Sequence, residues 1–497
     1  MSQALASLVD RFAEQSVLVL GDALLDVYLW GHAARLSRDG PALVVELGHT
    51  TEAPGGGANA AMNLRTLGAK VTFLSLVGDD QAGWALREQL AGAGIDVEDL
   101  LVERGRRTPV KRRVLADGQL LVRLDEGDAA PAGQRAARHL RARLRELFGR
   151  YDAVLVADYA AGTIGPELLA DMARLQAAGP QLLLVDARNP IAYRDVGVTA
   201  VKPNYDEAAT LLGIDGGRGR RRAERLERDG WRLLNLLGAH LVAVTLDADG
   251  ALLFELGRPP YRTYGRPVAD RLATGAGDTF SAALTLALAA GADTPAAGEV
   301  ASAAARLVVA REGTAACSQA ALRDAVAGGA RRVVDPDELA QRIDRHHQEG
   351  RRVVFTNGCF DLLHRGHVTL LNRAKSLGDV LVVGVNSDGS VRRLKGPDRP
   401  VNPLEDRLAV LAELSCVDYL VSFDDDTPAE LIRRLRPDVF VKGGDYRADT
   451  VPEGPLVESL GGSVEILPYL EDRSTTGLIR RIRGRPGRRG AAAVPGG

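Results

Sequence analysis

Two short segments of the chain carry residue types suited to moving phosphate. Thr274-Gly275-Ala276-Gly277-Asp278 stands directly before an Ala/Leu stretch that reaches about Ala290. Small residues at a helix N-terminus leave backbone N–H groups exposed, and the helix dipole adds partial positive charge. Such a turn seats a phosphate or a developing anion, and an Asp inside it is placed to take a hydroxyl proton. The competing reading is a Gly-rich turn whose Asp only caps its helix. The second segment runs Thr356-Asn357-Gly358-Cys359-Phe360-Asp361-Leu362-Leu363-His364-Arg365-Gly366-His367, after an apolar run and into a helix. Two imidazoles there can donate to phosphate oxygens while Gly366 admits a close backbone approach. A zinc set with Cys359 and Asp361, or a satisfied structural pair, are the alternatives.

Three further features sit around these segments. Pro54-Gly55-Gly56-Gly57-Ala58-Asn59 precedes a helix, so its glycines allow close approach of backbone to a ligand and Asn59 offers a bond to a sugar hydroxyl. Neither Gly cluster is a Walker A loop, because the chain has no Gly-Lys dipeptide, and neither matches GxGxxG. Only six of the 63 basic residues are lysine, yet Lys395 and Lys442 both stand beside glycines, which points to compact ammonium donors for phosphate. Arg473-Ser474-Thr475-Thr476 opens the last helical stretch with a cation and hydroxyls at its N-terminus.

The elements that must position these groups alternate. Apolar runs at 17–20, 71–76, 153–157, 182–185 and 241–246 are strand candidates, and helical stretches at 57–67, 131–148, 164–177 and 220–236 separate them. Continuous apolar strands between helices predict a mostly parallel sheet covered on both faces. Residues 41–47 and 109–124, with an Asp117-Gly118 turn, read instead as antiparallel ribbons that form a small lid. Near residue 328 the pattern stops. Asp335 then reads as an N-cap with Pro336 in the first turn and Glu338 completing a capping box. A second strand–helix series follows, with VVFT at 353–356, VLVVGV at 380–385, YLVSF at 419–423 and VFVK at 439–442. The expected division is 1–327, a linker and connecting helix at 328–350, a second domain at 351–483 and a disordered tail at 484–497.

Composition bounds the rest. A chain of 497 residues is long for one core. A formal net charge of −2 gives no global steering towards nucleic acid or an acidic membrane. Cys317, Cys359 and Cys416 make no CxxC pair, the first residues read as no signal peptide, and the longest apolar stretch, 281–292, is too short to span a bilayer. A soluble, cytoplasmic protein is expected.

With these residues in view, the first 327 residues resemble the ribokinase-like (PfkB) sugar kinases, through Gly55 to Ala69, the TGAGD turn, Gly21-Asp22, Asp26 and Asn204-Tyr205-Asp206-Glu207. The resemblance implies Asp278 as catalytic base and Gly275, Ala276 and Gly277 as anion hole. It implies Asp22, Asp26, Gly55, Gly56, Asn59 and Arg123 on the sugar, and Asn204 to Glu207 on ATP, with Glu207 acting indirectly on Mg²⁺. That family's turn usually opens with Asp where this chain has Leu272, and Asp270 lies two residues earlier. The second half resembles the HxGH nucleotidyltransferases, through Gly358, Phe360-Asp361, His364 to His367, Asn386-Ser387-Asp388, Lys395, Arg407 and Arg473 to Thr476. This implies His364, His367 and Lys395 as catalytic, with Asn357, Gly358, Phe360, Asp361, Arg407, Lys442 and Arg473 to Thr476 on the nucleotide.

The expected fold is therefore α/β: a ribokinase-like parallel sheet with a β lid, then a Rossmann-like HxGH domain. The fused order resembles the bifunctional heptose kinase–adenylyltransferases of ADP-heptose synthesis. That resemblance implies sugar phosphates and ATP as partners, a separate phosphatase acting between the two steps, and a homodimer through the lid. The alternatives are the same pair acting on another sugar or polyol phosphate, with CTP, or a protein with a degenerate kinase half.

Overall fold

A computed structural model describes residues 2–37, 40, 42–214, 222–264, 273–309, 313–327, 333–444 and 451–467. Asp270, Leu272, the linker residues 328–332, Arg473-Ser474-Thr475-Thr476 and the tail 484–497 lie outside the described residues. The chain divides into two compact units, Met1–Gly328 and Gly329–Gly497. Among the described residues no helix is long and apolar enough to cross a membrane.

In the first unit, apolar strands are buried on both faces. Along Ser16–Gly21, Val17 and Val19 enter one core and Leu18 and Leu20 the other, because side chains alternate across a sheet. Nine strands lie side by side in the order Tyr261–Thr263, Ala251–Glu255, Leu241–Thr245, Ala200–Val201, Leu182–Ala187, Ala153–Asp158, Ser16–Gly21, Lys70–Gly78 and Leu100–Glu103. All pairings are parallel except those of Ala251–Glu255, which is antiparallel to both neighbours. Chain order reverses beside Ser16–Gly21, and such a switch opens a crevice at the carboxyl ends of the strands.

Two expectations need correction here. The helix expected at 220–236 is two, Arg222–Asp229 and Trp231–Leu237, broken at Gly230. A Cβ there would meet the Phe254 ring at 2.1 Å, so a core aromatic sets the break. The lid is a four-stranded sheet, larger than the two ribbons read from sequence. Its order is Leu43–Gly56, Ala23–Leu36, Val110–Ala116, Gln119–Glu126. Ala23–Leu36 was not legible as a strand, because it leaves the main sheet two residues after Gly21 with no turn sequence between. Asp117 and Gly118 turn the last hairpin with φ of 52° and 79°, as a two-residue type I′ connection demands.

The second unit is a five-stranded parallel sheet in the order Tyr419–Phe423, Val380–Asn386, Val353–Gly358, Val439–Gly443, Ser463–Leu467. The chain enters at the centre and steps outward on both sides, so its crevice lies beyond Gly358. The connecting helix Pro336–Gln348 packs Leu339 and Ile343 into this core. Its cap differs from the expected box: Asp335 accepts from Asp337 N at 2.9 Å, while Glu338 bonds Arg342 at 2.5 Å.

Candidate active sites

In the first unit the helix Ala276–Ala289 starts from Gly275, whose φ is 91°. A Cβ at Gly275 would strike Asn59 Nδ2 at 2.4 Å, so the glycine is required by both the turn and the crowding. The N–H groups of Ala276, Gly277 and Asp278 are in the first helical turn, where no intrahelical acceptor exists. Asp278 is buried among them. Its Oδ2 accepts from Asn59 Nδ2 at 2.6 Å, and its Oδ1 accepts from the Tyr159 hydroxyl. Burial, with Asp186 adding repulsion, pushes the Asp278 carboxyl up to about 6. A carboxylate so placed is held at a chosen angle and is basic enough to take a proton near neutral pH.

Two residues of this site were missed. Lys202 is buried, pairs with Asp186 at 2.7 Å, and lies 3.1 Å from where a Gly277 Cβ would be. Burial opposes its charge, but the Asp186 bond and field outweigh it and raise its pKa. The lysine scarcity that singled out Lys395 and Lys442 applies equally to Lys202. Tyr159, at the end of the strand Ala153–Asp158, carried no sequence signal, because only the fold brings it to Asp278.

Other expected residues take different parts. Asp22 was expected on the sugar. Instead its carboxylate accepts from Tyr159 N at 2.8 Å, Ala161 N at 3.0 Å and Thr163 N at 3.0 Å, so it pins a loop. Gly55 and Gly56, also expected on the sugar, make room for neighbours: a Cβ would meet Asp26 Oδ2 at 2.7 Å and Leu24 Cδ1 at 2.3 Å respectively. Asn59 holds the base. Asp26 does face the site region, accepting from Arg113 at 2.7 Å and Thr314 at 2.9 Å. The strand register puts Lys111 and Asp125 level with Asp26, and Arg113 and Arg123 level with Tyr28, all on one lid face. Arg123 is half-exposed in an ion pair with Asp125 at 2.9 Å.

Asn204 and Glu207 form a reciprocal capping box, with bonds of 2.9 and 2.8 Å. Tyr205 packs into the core under the Arg222 guanidinium, so the fold does not present its ring to a nucleotide, whereas Asp206 is exposed. Glu207 keeps one oxygen without a hydrogen bond among the described residues, and burial raises its pKa. One surplus carboxylate oxygen fits a magnesium ion held mainly by phosphates and water. No cluster of three or more His, Cys, Asp or Glu that could hold a metal occurs among the described residues.

In the second unit, His364 is the N-cap of the helix Arg365–Ser376 and His367 lies in its first turn. Their rings stack with centroids 3.9 Å apart, and Phe360 meets His367 edge-on at 5.5 Å. Burial, then the neighbouring His364, lowers the His367 pKa to about 4, so this imidazole is neutral at pH 7. Phe360 adopts a φ of 46° and covers Gly358, where a Cβ would meet its ring at 3.1 Å. Lys442 reaches Asn357 Oδ1 at 3.3 Å and Glu453 at 2.9 Å, which brings two expected nucleotide residues together. Lys395 ends the helix Asp388–Lys395, is exposed, and lies close enough to Cys359 to act on its thiol electrostatically.

Asp361 and Arg407 were expected on the nucleotide and serve the scaffold instead. Asp361 accepts from Arg399 Nε, Val401 N and Asn402 N, fixing the 399–402 loop. Arg407 is buried, and its three nitrogens donate to Asn402 O at 3.1 Å, Cys359 O at 2.5 Å and Asp388 at 2.7 Å. Removing one partner of a buried charged pair costs about 3–5 kcal/mol, so Arg407→Met should lower the unfolding midpoint of the second unit in denaturant. An unchanged midpoint with a raised KM for ATP would return Arg407 to the nucleotide.

The pfkB family carbohydrate kinase model matches residues 14–321 and the cytidylyltransferase-like model residues 355–472. The "Bifunctional protein HldE" of Geobacter sulfurreducens is 40% identical over 473 residues, covering 94% of this chain and 95% of that one. Its counterpart in Caulobacter vibrioides is 38% identical, covering 97% and 100%. Among solved structures, phosphofructokinase-2 from Escherichia coli in complex with substrates and products has a TM-score of 0.54 at 20% identity, covering 63% of this chain and 99% of its own. Arabidopsis thaliana ribokinase complexed with ribose and ATP gives 0.50 at 21%, covering 63% and 98%. At such identities the structures speak for the fold of the first unit alone.

Proposed function

The chain belongs to the PfkB family of carbohydrate kinases, with a cytidylyltransferase-like unit behind it as in the bifunctional HldE proteins, and from that premise we propose its two reactions. The first unit phosphorylates D-glycero-β-D-manno-heptose 7-phosphate at O1 with ATP. The second joins heptose 1-phosphate to AMP from ATP, releasing pyrophosphate and ADP-heptose. The 7-phosphate must leave between the steps, so a separate phosphatase acts there.

The observation that carries this reading is one phosphate-handling helix N-terminus in each unit, each with its own proton-bearing side chains: Asp278 in the first, His364 and His367 in the second. In the kinase, Asp278 takes the O1 proton as the oxygen attacks. The N–H groups of residues 276–278 and the Lys202 ammonium receive the charge on the transferring phosphoryl group. Asp26 orients the sugar, and Lys111, Arg113 and Arg123 offer the lid face to its 7-phosphate. Glu207 would help hold a magnesium ion through water, and that ion would supply charge neutralisation at the nucleotide phosphates. In the transferase, the heptose 1-phosphate oxygen attacks the α-phosphorus in line, and no covalent enzyme intermediate is needed. His364 and His367 donate to the phosphoryl oxygens; Lys395 and Lys442 attract the triphosphate, and the family resemblance assigns Arg473, Ser474, Thr475 and Thr476 to the same phosphates. Exposed Leu36, Leu43, Leu47, Leu120, Val122 and Leu124 give the lid an apolar outside suited to a second copy. Free thiols at Cys317, Cys359 and Cys416 fit a cytoplasmic setting.

The test is heptose 7-phosphate plus ATP followed by phosphorus NMR, with and without an added phosphatase. A 1,7-bisphosphate alone, and ADP-heptose only when the phosphatase is present, is the expected result; inert heptose substrates would reject the reading. The pH profile gives a second check. Asp278 works deprotonated, so kinase kcat/KM should fall about tenfold per pH unit below roughly 6 and level off above it. The Tyr159 bond lowers the Asp278 pKa, so Tyr159→Phe should move that limb to higher pH. A limb that stays in place would remove Tyr159 from the base's environment.

A further inference from the structure

The amino ends of the second unit's strands carry a cavity of about 360 Å³, lined by His347, Gly350, Arg351, Arg352, Arg436 and Asp438. Arg352 immediately precedes the strand Val353–Gly358, whose other end leads into the histidine loop. At about 3.3 Å per residue, that strand puts roughly 20 Å between the cavity and His364. Ligands of open α/β sheets bind at the carboxyl ends of the strands, so this cavity is no part of the transfer centre.

Its charges are unbalanced. Three arginines and a histidine line it against one aspartate, whose carboxylate is already committed. Asp438 Oδ2 accepts from Val353 N at 2.7 Å and lies 3.6 Å from His347 Nε2. His347 Nε2 is buried and makes no hydrogen bond among the described residues. Arg351 is drawn aside by Glu349 at 3.1 Å. Neither the Arg352 nor the Arg436 guanidinium makes a hydrogen bond or ion pair among the described residues, although both line the cavity. Arg436 also holds a φ of 44° as the C-cap of the helix Ala429–Leu435, a conformation that favours glycine, so the cap does not explain the arginine. Guanidinium forks match phosphate oxygens two at a time. No apolar side chain lines the cavity, which excludes the usual apolar ligand.

We propose that this cavity is a second anion site of the nucleotidyltransferase unit, which takes the phosphate chain of a small phosphorylated molecule away from the transfer centre. The test uses the intact chain. Phenylglyoxal labelling of Arg352 and Arg436 is followed by peptide mass spectrometry, with tripolyphosphate, ATP or KCl of equal ionic strength added. A ligand slows labelling by 1 + [L]/Kd, so at about nine times Kd both arginines should react about tenfold more slowly. Equal protection by the two probes means that the phosphate chain alone is recognised; stronger protection by ATP means that the nucleoside adds contacts. Arg436→Gln should abolish protection of Arg352 and leave the rate of ADP-heptose formation unchanged. Labelling indifferent to both probes, protection matched by KCl, arginines that are unreactive before any probe is added, or persistent protection of Arg352 in the Arg436→Gln chain would each overturn the proposal.

Discussion

Asp278→Asn is expected to lower the kinase rate by about 10²–10⁴-fold, the usual worth of a positioned general base, and to leave adenylyl transfer untouched. The size follows from where the carboxylate sits. Both of its oxygens are oriented, by Asn59 and Tyr159, at the helix end whose free N–H groups receive the phosphoryl charge. Asn keeps the shape and loses the proton acceptor. The same substitution should not weaken the fold. The folded pKa of about 6 lies above the ordinary 3.8, so the folded state binds the Asp278 proton more tightly than the unfolded chain does. Stability from this group is complete below pH 3.8 and is lost as pH rises to 6. At neutral pH the buried charge thus costs about 3 kcal/mol. Rate assays and thermal melts at pH 7.5 check both parts: the expected result is lost kinase activity with an unchanged or higher melting temperature. Unaltered kinase activity would refute the base assignment, and a collapsed melting temperature would make Asp278 a structural residue.

His367→Ala should lower ADP-heptose formation by about 10²–10³-fold, the effect of removing a preorganised donor to a developing anion, with kinase activity intact. Two stacked imidazoles 3.9 Å apart cannot both carry charge cheaply. With its pKa lowered to about 4, His367 meets the nucleotide as a neutral N–H donor. Its contribution should therefore be flat with pH from about 5.5 upward, and single-turnover rates across that range check this. A rate that rises as pH falls through 6.5 would mean that an imidazolium does the work. Equal loss of both activities in His367→Ala would contradict independent centres.

Much of this could be read before any coordinates, for physical reasons that differ by residue. The strand at 16–21 announces itself because both faces are buried and every position is apolar. The TGAGD turn and the histidine loop announce themselves because phosphate chemistry needs small residues at a helix start. Charged residues inside a motif are different. Asp22, Asp361 and Arg407 sit in the same stretches as Asp26, His364 and Lys395, and nothing in residue type separates a group that grips a ligand from one that holds the loop around it. The separation lies in the partners: three backbone N–H groups on Asp22, three acceptors on Arg407. Tyr159 and Lys202 were hidden for the opposite reason, because each reaches its centre only through strand order.

Lysine usage in the structure has a practical consequence. Lys202 and Lys375 are held in buried ion pairs with Asp186 and Asp418, which slows their reaction with a reagent from solvent. The only other lysine amines are those of Lys70, Lys111, Lys395 and Lys442. Three of the four stand at the proposed sugar-phosphate and nucleotide seats. An acylating reagent that scatters over dozens of sites in an ordinary enzyme would act on this one almost as a targeted probe. A single tryptic digest, with and without substrates, could then read the occupancy of both centres together.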